Sequence, residues 1–368
     1  MKDQISIRQF VFLFIFTSIT PLFTYVPQMA AANAGNSGYL AAVYYGILLF
    51  LFAALIIRII KVYPHQSFYE ILTSLIGNVL TRILFLLYGM WAFVCLIYKT
   101  SSYTLLLQAT LMEDGKNYII LFALFLLVIY AAFRGPKTIF RVSELLYGPL
   151  ILFLVLLALF TLPNINKDFL VPIHTEHFRL NLKTIPVLAP IGGNLFFLLF
   201  FMRPVSSMNQ YSVIKKRILQ SVFIFFLISY LSIFLTIGIA GATLTSEYGY
   251  SLFQAIKCIT FLNSFERFDA FITLVTVISD FITITFYLLI VMKCLSLAFG
   301  IQNYREIAVI ALTLACTLSI VIDFSQYNLE HGFRTYTDRI SMLFQYVIPV
   351  LLGLICCGKK VPNQKKAE

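Results

Sequence analysis

The chain is 368 residues long, 60% hydrophobic and 12% charged, with a mean hydropathy of +0.90. Soluble proteins run near 45–50% apolar and about 25% charged, so a water-soluble domain is excluded and much of the surface must face lipid. The net charge of +11 comes from 27 Lys+Arg against 16 Asp+Glu; with no basic helix and no aromatic platform, it reads as the positive loops of a membrane protein in contact with lipid, not as a nucleic-acid surface.

Apolar runs able to cross, or nearly cross, a bilayer fall at 9–31, 39–60, 83–108, 117–133, 144–162, 185–202, 218–241, 270–299, 306–323 and 340–357. None alternates with the period of a membrane β-strand, and backbone in lipid must bond within its own segment. The runs therefore predict an all-α membrane protein of ten transmembrane helices in a single domain over 1–368. The basic side chains divide 17 to 9 between alternate loops, with Lys2, Arg8 and the tail 359–366 on the richer side and Lys293 left inside the eighth run. Both termini are predicted cytoplasmic. The first run, with its upstream Lys2 and Arg8 and the small residues 30–34, imitates a secretory signal; its apolar core is longer than a signal's, and its removal would put the basic loops on the wrong side, so it is read as a span.

The first span carries Pro21 and Pro27 around Thr24-Tyr25, and the sixth carries Pro186 and Pro190 followed by Gly192-Gly193-Asn194. A proline deletes one helical donor and crowds the preceding turn, and two adjacent glycines relax φ, so both spans are predicted to break near mid-membrane. Breaks in helices 1 and 6 of ten are the mark of two inverted five-helix repeats, here 9–162 and 185–357, with a substrate site between them. Freed amides suit a carboxylate, and freed carbonyls an ammonium group or cation. The alternative is that the prolines only kink helices for packing. Between spans, 164–184 reads as a long external loop, and Leu252, Phe253, Ile256 and Ile259 predict a short amphipathic helix on the outer face.

A family resemblance emerges from several short motifs: the opening Ile5-Ser6-Ile7-Arg8-Gln9-Phe10, Pro27 followed by Ala30-Ala31 and Ala34-Gly35, Tyr63-Pro64 then Tyr69-Glu70 and Ile76-Gly77, Glu144 with Pro149, and Glu266-Arg267-Phe268-Asp269. In this order the chain resembles the spore germination permease family, the B subunits of nutrient germinant receptors, within the amino acid/polyamine/organocation superfamily. The resemblance implies an amino-acid permease-like fold in the inner membrane of a bacterial endospore. It also implies a receptor A subunit and a C lipoprotein as partners and a small nutrient ligand, an amino acid or a sugar. The family's Gly-Phe-Glu type turn in the sixth span is replaced by Gly192-Gly193-Asn194, which leaves cation or proton coupling without its usual acidic group.

An ionisable group at mid-membrane needs a partner or a role. Asp280 lies well inside the eighth span, with Thr283 and Tyr287 on the same face, and reads either as the acceptor for an ammonium group or cation or as a polar contact between helices. Tyr98 and Ser102 line one stripe of the third span. Lys99 beside them reads as snorkelling to the headgroups or as a counter-charge for Asp280, and Lys293 reads as snorkelling. With Thr24, Tyr25, Gly192, Gly193 and Asn194 at the breaks, these residues form the predicted ligand site. Glu144 reads as a surface partner of Arg141. His174, Glu176 and His177 lack a fourth metal ligand, and the six cysteines form no C-x-x-C pattern. No G-x-S-x-G, H-E-x-x-H or phosphate loop occurs, so no enzyme and no cofactor is expected. The preferred function is nutrient sensing between helices 1, 3, 6 and 8; the competitors are an active amino-acid transporter of the same fold and a scaffold for receptor partners.

Overall fold

The computed structural model describes residues 6–64, 66–111, 116–171, 176–201, 211–257, 268–301, 304–322, 325 and 327–357. His174, Ile259, Glu266-Arg267 and the tail lysines fall outside them. Every regular element among the described residues is helical. Among the described residues, eight helices are long and apolar enough to cross a membrane, and nine if a bent pair at the N-terminus counts as one span. A shorter apolar helix, Tyr118–Phe133, occupies the place of the fourth predicted run.

The bent pair is α1 (Ile7–Phe23) and α2 (Tyr25–Ala34), which meet at Thr24 with an angle of 55°. A capping box starts α1: the Ser6 hydroxyl accepts from the Gln9 amide while the Gln9 side chain accepts from Ser6. Pro21 then removes the donor for Thr17's carbonyl. The break is not an open strand of backbone. The Thr24 amide still bonds Thr20's carbonyl at 2.9 Å, and neighbouring helices supply donors to other α1 carbonyls.

After α3 (Leu40–Val62), the short α4 (Phe68–Ile76) tucks Phe68 among Phe85, Tyr88, Phe196 and Phe200. Then follow α5 (Asn78–Thr110), α6 (Asn117–Phe133) and α7 (Pro136–Thr161). The stretch predicted as an external loop folds into short turns and α8 (Glu176–Leu182). It is tied to the bundle by the Asn166 amide on Gly238's carbonyl at 2.9 Å and by Asn181 donating to Ser37 at 3.1 Å.

The sixth span starts as α9 (Ile185–Gly192) and continues as a 3₁₀ helix, Gly193–Phe201. The second break is thus a change of helix type instead of an unwound gap. Nine residues is long for a 3₁₀ run, which usually marks a hinge or strain. Next come α10 (Tyr211–Glu247), α11 (Ser251–Lys257), α12 (Phe268–Phe299) and α13 (Tyr304–Ile322). Gly241 kinks α10 at φ +79, in the left-handed region that glycine enters freely. The predicted amphipathic helix is α11, and its Leu252, Phe253 and Ile256 are buried in the bundle, not laid on an interface.

The last span is longer than its apolar run. It begins at Asn328 with a π-helical turn to Phe333, continues as α14 (Arg334–Met342) and a second π-helical turn (Leu343–Val347), and ends as α15 (Ile348–Cys357). Arg334 and Arg339, which precede the apolar run and fall in the basic-poorer set of loops by sequence, are helical, and Arg334 is buried.

The α12 and sixth-span helices sit at the centre, with α12 against α5 and α1 against α10, α12 and α7. Glu144 on α7 does not pair with Arg141. It accepts from the Gln9 side chain at 2.8 Å and lies 3.6 Å from Arg8, pinning the start of α1. Lys293 does not snorkel either: its amine donates to Phe200's carbonyl and lies 4.6 Å from the Phe201 ring centroid.

Ser232 on α10 donates to Leu22's carbonyl beside the first break. Ser232→Ala, which removes that donor without adding bulk, is expected to cost about 0.5–1.5 kcal/mol. Thermal unfolding in detergent should show the loss, and Ser246→Ala near the exposed end of α10 should not.

Candidate functional site

A cavity opens where the bent first span, α5, the α-to-3₁₀ junction, α12 and α14 converge. Thr17, Pro21 and Tyr25 line it from the first span; Tyr98, Lys99 and Cys95 from α5; Asn194 with Pro190 and Ile191 from the junction. Tyr287 of α12 and Thr337, Asp338 and Ser341 of α14 complete the wall. Hydroxyls, an amide and two opposite charges in a lipid-embedded bundle are costly unless they meet a polar partner. The space is about 30 Å³, room for about two water molecules.

The junction is held from two sides. Asn194's side-chain carbonyl accepts from the Tyr287 hydroxyl and from the Gln345 side-chain amide, each at 3.0 Å. The hydroxyls of Tyr45 and Tyr346, 2.7 Å apart, both reach Ala189's carbonyl, at 3.3 and 2.7 Å. The two glycines serve this packing. A Cβ on Gly192 would collide with the Tyr45 hydroxyl, and one on Gly193 with the Gln345 side chain. On α14, Ser341 accepts from the Trp91 indole at 3.0 Å and donates to Thr337's carbonyl at 2.7 Å.

Of the residues singled out in the sequence, Tyr25, Tyr98, Asn194 and Tyr287 meet at the cavity. Gly192 and Gly193 stand behind the wall as close-packing positions. Thr24 and Thr283 turn their hydroxyls back to Thr20 and Ser279 carbonyls of their own span, at 2.8 and 2.7 Å. Ser102 is half-buried and lies outside the lining. Asp280 is fully buried against α1 and also outside it; its two carboxylate oxygens have no hydrogen-bond partner. Lys99, 8% exposed, faces inward within electrostatic reach of both Asp280 and Asp338.

The α14 face went unread because the apolar run begins at 340. Its signal was present nonetheless: Arg334, Asp338, Ser341 and Gln345 follow at steps of four, three and four, one helical face.

A larger hollow of about 270 Å³ between α1, α7 and α12 is lined only by apolar side chains such as Leu146, Phe153 and Ile278. It offers a polar ligand nothing.

The profile of the family described as "Spore germination protein" matches residues 4–328, so the chain belongs to that family. It is similar to Spore germination protein KB of Bacillus subtilis (strain 168), with 25% identity over 99% of this chain and 97% of that protein. It is also similar to Spore germination protein YndE of the same organism, 20% identical over 68% of this chain and 69% of that protein. With its many apolar spans, it is a multi-pass membrane protein of this family. The matched region ends before α14, so the family profile does not cover the cavity's last wall.

Asn194→Leu strands two buried donors, the Tyr287 hydroxyl and the Gln345 amide, and is expected to cost about 2 kcal/mol or more, whereas Tyr287→Phe removes one bond and costs about 1. Unfolding temperatures of the two purified variants should fall in that order.

Proposed function

We propose that the chain is the permease-like B subunit of a nutrient germinant receptor and that the cavity is where it senses a small polar nutrient, an amino acid or a sugar. The observation that carries the reading is a polar, charge-bearing cavity between the bent first span and the α-to-3₁₀ junction of the sixth. Similarity to Spore germination protein KB over nearly the full length of both chains supports the receptor assignment. An A subunit and a C lipoprotein are the proposed partners, and the spore inner membrane, with both termini cytoplasmic, the proposed location. In this reading the bent pair and the short α6 join the eight longer helices. Together they make ten spans, arranged as inverted repeats over 9–162 and 185–357.

At about 30 Å³ the cavity is closed to an amino acid. A nutrient binds only by favouring a more open packing, and it shifts that equilibrium by its difference in affinity for the two forms. The hinge proposed for this step is the pair of interrupted spans, which change direction or pitch beside the cavity.

The second reading, an active transporter, is favoured by Lys99, Asp280 and Asp338, because buried ionisable groups beside a site are what coupled transport uses. Uptake of labelled amino acids by the chain alone in liposomes would select it. Germination lost on substitution, with no uptake by the wild-type chain, selects the receptor.

Filling the cavity provides the direct test. Ser341→Leu is expected to abolish the nutrient response of spores while the protein remains at wild-type abundance, and Ser102→Leu, outside the lining, to leave it intact. An unchanged response in the Ser341 variant would remove the cavity from the function.

A further inference from the structure

We infer that Arg334 and Asp338 form the recognition pair for the head of an α-amino acid, Arg334 taking the carboxylate and Asp338 the ammonium group. The inference rests on the nutrient-binding reading of the cavity and narrows it to one ligand class.

Arg334 is 3% exposed, and its guanidinium lies 4.2 Å over the ring of Tyr25 at the first break. A guanidinium carries five donors and cannot shed its charge, so burial in the membrane demands acceptors. Two of its nitrogens, Nε and Nη1, have none. Asp338, one helical turn on, places Oδ2 at 3.8 Å from Nε, an ion pair beyond hydrogen-bond length. The pair is therefore adjacent without being closed.

Its two neighbours, Tyr25 and Asp338, are both cavity wall. The unpaired nitrogens thus stand one side chain behind the space where a ligand enters. A carboxylate is the planar, two-oxygen acceptor that a guanidinium fork matches, and the bond gains strength in a site without bulk water. Asp338 faces the cavity with a charge of the opposite sign. A zwitterionic head satisfies both members at once, and insertion between them leaves neither charge unpaired. A sugar's hydroxyls could hydrogen-bond either member but bring no charge to balance them. Of the other buried acids, Asp280 lies outside the lining between α1 and α12, and Glu330, four residues before Arg334, lies outside it too, which leaves Asp338 as the acid on the cavity wall.

The test uses the purified full-length chain in lipid nanodiscs, with thermal unfolding followed against rising concentrations of the twenty standard L-amino acids, the carboxamide of whichever stabilises most, and D-glucose. Stabilisation that grows with ligand concentration gives the affinity. Amino acids should stabilise the wild-type chain, and the carboxamide should not. Arg334→Gln is expected to weaken amino-acid binding by about thirtyfold or more, and Arg334→Lys to restore part of it. Because Arg334→Gln alone removes the nearer of the two cations that face Asp338, the neutral double variant Arg334→Gln/Asp338→Asn is measured too; it should fold like the wild type without ligand and still fail to bind.

Wild-type affinity in the double variant overturns the assignment, as does equal binding of acid and carboxamide. A wild-type chain stabilised by glucose and by no amino acid overturns it as well, yet keeps the cavity as a nutrient site. If no compound in the set stabilises the wild type, the assignment falls, and the spore response of Ser341→Leu decides separately whether the cavity reading stands.

Discussion

Backbone polar groups in lipid must find partners inside the protein, and this requirement organises the bundle. The proline-bearing first span has carbonyls near its bend that ordinary helical bonding does not fully serve. Hydroxyls from elsewhere meet them: Ser232 reaches Leu22, and Ser279 reaches Phe16. In the other direction Thr20 donates to Thr276 at 3.1 Å. The same solution recurs at the sixth span, where two tyrosines converge on Ala189's carbonyl. A helix can therefore bend at mid-membrane only where its neighbours are polar. The polar interior that results is where a hydrophilic group meets partners inside the bundle.

That logic explains why the two interruptions look different. At Thr24 the chain changes direction, because prolines on both sides withhold donors over a full turn. At Gly193 the chain keeps direction and tightens its pitch, because Asn194 is clamped by Tyr287 and Gln345 and the glycines let Tyr45 and Gln345 approach without a Cβ between. One junction is a bend and the other a wound segment, and both abut the same small space.

Much of the fold was legible because it follows from hydrophobic length alone. Each apolar run is helical over its described residues, with eight to nine helices long enough to span, and the breaks fall where proline and glycine placed them. The lining of the candidate cavity was legible where a break is obvious, at Tyr25 and Asn194, and where a polar stripe interrupts an otherwise apolar helix, at Tyr98 and Tyr287. It was not legible on α14, whose polar face precedes its apolar run and so resembled a loop. Nor did the sequence distinguish a polar side chain facing the cavity from one bonding back to its own helix, as Thr24 and Thr283 do. That difference is a rotamer choice set by neighbours, not by spacing.

The π-helical turns that flank α14 give its polar face a physical basis. A π turn holds one extra residue and rotates everything beyond it, and such turns concentrate at functional sites. Between Asn328–Phe333 and Leu343–Val347, the nine residues of α14 present Arg334, Thr337, Asp338 and Ser341 inward, and Gln345 within the second turn reaches Asn194. A uniform helix over the same length would carry its apolar C-terminal half and its charged N-terminal half on different faces. The two wide turns let one span serve lipid at α15 and a charged cavity at α14. The cost is backbone geometry that helices seldom adopt, and it is tolerated here because the turns are packed against α5 and the sixth span instead of facing lipid alone.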